Sequence, residues 1–162
     1  MRALFTTIII FVICGCLRAP YFNLSRPVYL VTHKSFWSGC EIDSTGEEAC
    51  RKFRVLQISD GINEWFKSFE GAVRPRAVIL YSKDDLPVDS VNEIIYLKIK
   101  AGFCGKGHAA CYNWGQASSS SYSPEIVFEN SSYIQPDYAA HEIGHAFGRD
   151  DNDVAESVGS IM

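Results

Sequence analysis

No excess of positive charge marks this chain: 15 lysines and arginines stand against 19 aspartates and glutamates, a net charge of −4. Nucleic-acid binding needs basic residues gathered against phosphate. No aromatic-basic cluster gathers them here, so nucleic acid is excluded as a partner. No internal repeat occurs, which removes solenoids and propellers. Long apolar runs are missing too. Ala3 to Ile13 is mostly apolar but only eleven residues long, about half of what a bilayer-spanning helix requires. Low complexity is confined to Ser118–Ser121. Histidine is scarce: there are four in 162 residues, and two of them, His141 and His145, stand four apart.

What is present is ordinary globular material, 47% hydrophobic and 21% charged, enough for one core and one domain. The first residues read as an export signal, with Arg2 before the apolar run. Ile13-Cys14-Gly15-Cys16 resembles a bacterial lipobox, which makes Cys16 the expected lipidation site. Residues 1–15 are then the signal peptide, 16–26 a tether and 27–162 the folded domain. The expected location is the bacterial cell envelope, with the membrane contacted only through the lipid; cleavage after Ala19 gives plain secretion instead. A monomer is expected. Four cysteines remain, Cys40, Cys50, Cys104 and Cys111, and an oxidising compartment favours pairing them. Three connectivities are possible. The short separations favour 40–50 and 104–111, while Cys104, His108 and Cys111 form a rival metal-ligand set without a fourth member.

Pro27–Thr32 predicts a first strand and Ser35–Glu48 a polar, turn-like stretch. Val55, Ile58, Ile62, Trp65, Phe66 and Phe69 recur at steps of three and four, predicting a helix over 49–69 that tolerates Gly61. Arg76–Tyr81 predicts a buried strand, Val91–Ile99 another and Glu125–Glu129 a third. Gly102–Gly115 is a loop or an irregular edge strand. Pro136 opens a second helix, with Asp137 in its first turn and Gly148 as its stop. The fold class is α/β: a mixed twisted sheet of about four to five strands, covered mainly on one side.

The second helix carries HEIGHAFGRDD, residues 141 to 151. Residues i and i+4 share a helix face, so His141 and His145 can present two imidazoles to one metal ion. Glu142, one step round, suits a general base acting on a water at that metal. A catalytic zinc has three protein ligands and an open position. No histidine follows His145, so the third ligand must be acidic. Asp151 is placed for it once Gly148 turns the chain, with Asp150 as the neighbour one residue out of step. The other two histidines, His33 and His108, read as loop or structural residues.

This stretch resembles the zinc-binding signature of the metzincin metallopeptidases, H-E-x-x-H-x-x-G-x-x-H/D, in the aspartate form of the snapalysin-type bacterial enzymes. Ser160-Ile161-Met162 looks like the start of the metzincin Met-turn, EIVFE resembles that family's last sheet strand, and Gly107-His108-Ala109-Ala110 is weakly similar to its substrate-pairing edge strand. The resemblance implies a metzincin-like domain with one zinc ion, liganded by His141, His145 and Asp151. It makes Glu142 the base, Met162 the floor beneath the metal, and Ala109 and Ala110 contacts to a peptide or protein substrate. On this resemblance the chain is expected to end at the Met-turn, with the family's C-terminal subdomain missing. The activity expected is zinc-dependent endopeptidase; the alternatives are a noncatalytic zinc-containing binding module and a truncated, inactive peptidase.

Overall fold

The computed structural model describes residues 26–40, 44–67, 76–87, 94–114 and 124–148. Five strands, β1 (Pro27–Thr32), β2 (Arg76–Leu80), β3 (Ile94–Ile99), β4 (Ala110–Asn113) and β5 (Glu125–Phe128), form one sheet. Their order is β2-β1-β3-β5-β4. The first four in that order run parallel, and β4 lies antiparallel to β5 at the edge. The sheet is therefore mixed, as expected. Parallel neighbours need a crossover, and the helix α1 (Ser44–Lys67) supplies one between β1 and β2. The second helix, α2 (Pro136–Ala146), follows β5.

Alternation along the strands sends one set of side chains to the helices. Val28 and Leu30, Ile95 and Leu97, Ile126 and Phe128 all join one core with Ile58, Ile62 and Trp65 of α1 and Ala139, Ala140 and Ile143 of α2. The helical spacing read from α1 is thus its core stripe, with Val55 and Phe66 half-buried beside it. Gly61 has a packing reason. A Cβ there would come within 2.5 Å of the Pro136 carbonyl oxygen and 2.8 Å of the Ala139 Cβ. The bare backbone lets α2 lie close against α1.

Two expectations need correction. The polar stretch before residue 49 is not all turn: a short 3-10 helix covers Lys34–Trp37, and α1 already begins at Ser44. Its first turns gain from Glu47–Arg51 and Glu48–Lys52 ion pairs at i,i+4, with the acid N-terminal. Apolar periodicity carries no trace of such support. Strand β2 is not buried. It lies at the sheet's edge, and Val78 is 40% exposed.

Both local cysteine pairs form, Cys40–Cys50 and Cys104–Cys111. The second consumes the thiols of the rival metal set. The first ties the segment after β1 to α1, where the buried Arg54 donates to the carbonyls of Phe36 and, at 2.9 Å, of Ser38. Among the described residues no helix is long and apolar enough to cross a membrane.

Candidate metal and active site

Helix α2 starts as its sequence asks. Pro136 occupies the first turn, where its missing N–H costs nothing, and Asp137 adds a negative charge near the positive end of the helix dipole. The helix stops where glycine allows it to. Gly148 has φ +86° and donates to the His145 carbonyl at 2.9 Å. This conformation is strained for any side chain, so the chain turns off the helix axis here at little cost.

At about 100° per residue, Tyr138, His141, Glu142 and His145 fall within a single arc about 100° wide. Tyr138 and the histidines lie toward one side of the arc and keep some exposure. Glu142 lies at its other margin, next to the core, and is 5% exposed. The imidazoles meet edge to face, with 4.7 Å between ring centroids, and the two Nε2 atoms are 3.1 Å apart. Two nitrogens bound at ~2.0–2.1 Å to one tetrahedral zinc would be about 3.3 Å apart. The donor pair therefore already has nearly the spacing that a shared zinc demands. In the metal-free state the same spacing suits a hydrogen bond between one imidazole's N–H and the other's bare nitrogen.

Asp151, Asp150 and Met162 lie outside the described residues, as does Cys16. Among the described residues no group of three or more His, Cys, Asp or Glu side chains gathers around a metal position. Two of the three expected ligands are thus together, with the expected base beside them.

Strand β4 borders α2, and among the described residues no strand pairs with its outer edge. The amide of Glu129 donates to the Ala109 carbonyl at 2.9 Å, which makes 109/129 a bonded pair. In an antiparallel ladder the bonded pairs alternate, so 111/127 and 113/125 follow in register. The main-chain groups of Ala110 and Tyr112 consequently point away from the sheet. Of the two expected substrate contacts, Ala110 has its main-chain groups on this outward side, whereas the Ala109 carbonyl accepts from Glu129, just past β5. Tyr112 takes the place of Ala109 as the second outward residue.

His33 and His108 lie outside α2. His33 caps the 3-10 turn, its Nδ1 accepting from the Ser35 amide at 3.2 Å. Burial, then the nearby Lys98 and Lys34 charges, hold its pKa below the ordinary value. His108 is exposed in the loop that leads into β4. Sequence reading misses Tyr138 and Tyr112. The signal for Tyr138 is its i, i+3, i+7 spacing with the histidines; for Tyr112 it is the strand register, which one sequence does not reveal.

No protein family, no curated protein and no solved structure matches this chain.

Proposed function

We propose that the protein is a zinc-dependent endopeptidase of metzincin-like architecture. The observation that carries this reading is the 3.1 Å Nε2–Nε2 spacing of His141 and His145 on one face of α2, with the buried Glu142 beside them. His141, His145 and Asp151 would hold the metal, and Met162 would lie beneath it. Zinc bound there supplies Lewis acidity, bringing a water's pKa toward neutral and polarising a peptide carbonyl. Glu142 takes the proton from the attacking water and delivers it to the leaving amine. Its burial limits the solvent that competes for the carboxylate. The outward N–H and C=O groups of Ala110 and Tyr112 bind an extended substrate main chain by strand addition.

Exported, lipid-tethered action through Cys16 remains part of this proposal. The binding-module alternative keeps the zinc but gives Glu142 no task. The test is hydrolysis of a quenched mixed-sequence peptide library by zinc-loaded protein, with Glu142→Gln alongside. Cleavage lost in the variant, with zinc retained in both, supports the peptidase. Zinc retained but no cleavage by either protein would favour the binding module. No cleavage and no retained zinc would favour the truncated, inactive form.

A further inference from the structure

Beside the start of β4 lies an open groove of about 650 Å³. One wall is the loop 102–109; Glu129, Asn130, Tyr133 and Tyr138 form the other. The loop is braced. The Cys104–Cys111 disulfide closes its base. The Glu129 carboxylate accepts from the Gly102 amide through one oxygen and from the Cys104 amide, at 2.6 Å, through the other. Gly105 and Gly107 contribute no side chain, and the space where a Cβ would stand is open. On the opposite wall Tyr133 and Tyr138 meet edge to face at 5.8 Å between centroids. Tyr138 belongs to the same α2 arc as the histidines, and Ala109, the last loop residue, adjoins the outward-facing Ala110.

We infer that this groove is a selectivity pocket for an aromatic side chain of an extended peptide paired on the outer edge of β4, with Tyr138 as its specificity-determining residue. This rests on the peptidase reading above. Two features favour a flat ring. Glycine backbone on one side and tyrosine rings on the other bound the space for one. A third ring can add to the existing edge-to-face pair. Lys106 and His108 stand on the loop, and the competing occupant they would favour is an acidic side chain.

The experiment uses the full zinc-loaded chain and a set of peptides that differ at one position, phenylalanine, alanine or glutamate, scanned on the N-terminal side of the cleaved bond and then on the C-terminal side. kcat/KM is measured for wild type, Tyr138→Ala and Tyr138→Phe. Binding of the same peptides to Glu142→Gln is followed through the amide NMR signals of 102–109. The expected result is a phenylalanine-to-alanine ratio of about five- to tenfold at one position. That ratio falls toward one in Tyr138→Ala and survives in Tyr138→Phe. An equal rate at every position would overturn the inference, as would a preference for glutamate that Lys106→Ala abolishes. If no peptide is cleaved yet the phenylalanine peptide alone shifts the loop signals, the peptidase reading fails and the pocket stands. Silence in both rates and shifts overturns both.

Discussion

The two helices are packed together at Gly61, yet their polar residues serve different ends. In α1 the charges of the first half have structural uses. Glu47 and Glu48 pair with Arg51 and Lys52 along the helix surface. Arg54 is buried against the carbonyls of the segment after β1, and the guanidinium of Arg51 lies 5.3 Å from the centre of the Trp37 ring. In α2, past Asp137, the polar residues gather on one arc, two imidazoles in contact and a buried carboxyl at their flank. Apart from Asp137 in its first turn, the rest of α2 is small or apolar: Ala139, Ala140, Ile143, Gly144 and Ala146 are all buried. One helix uses its charges to hold the fold. The other gathers two imidazoles and a carboxyl on one face.

That contrast is sharpest in its response to substitution. Glu142→Gln should lower peptide hydrolysis by about a hundred- to ten-thousandfold, the usual loss of a general base, while the melting temperature of the zinc-free protein changes little. Steady-state kinetics beside calorimetry separates the two readouts. Arg54→Ala should do the reverse. It leaves two carbonyls without their donor and costs about 2–4 kcal/mol, read as a shift in the denaturation midpoint, with zinc affinity scaling only with the folded fraction. Gly61→Ala should cost about 1–3 kcal/mol through overpacking against Pro136 and Ala139. Because that contact positions the start of α2, it is the one α1 change expected to disturb the histidines as well. An unchanged denaturation midpoint in Gly61→Ala would contradict the close approach.

How far the sequence leads follows the same division. The strands β1 and β5 and the start and stop of α2 are legible because local chemistry decides them: β-rich apolar runs, Pro136 and Gly148. The local disulfides are legible from their short spacing. The early start of α1 is not, since it depends on surface ion pairs rather than on an apolar stripe. The edge position of β2 is not legible either. RAVIL reads as buried from composition, and only the sheet order places it at the rim. At the site, the His141–His145 pairing follows directly from the helical period. The outward register of Ala110 and Tyr112 does not, because it is fixed by a bond between Glu129 and Ala109 that joins distant parts of the chain.

The smallest expected effect concerns the rim. The amides of Cys104 and Gly102 hold the Glu129 carboxyl below its ordinary value of 4.5. A folded-state pKa lowered in this way gives stabilisation that is present above pH 4.5 and lost as pH falls through the folded value. The exchange protection of the Gly102 and Cys104 amides should therefore drop with acidification below 4.5 in wild type. In Glu129→Gln it should already be low and insensitive to pH over that range.

On the proposed function, the polar arc of α2 holds a metal. X-ray absorption at the zinc edge, on protein loaded with one equivalent, tests it most directly. One tightly held zinc is expected, with two imidazole nitrogens at about 2.0–2.1 Å and only oxygen otherwise, and His145→Ala is expected to lose one imidazole contribution and most of the affinity. A zinc that does not bind, or one whose spectrum is the same in wild type and in His145→Ala, would contradict it.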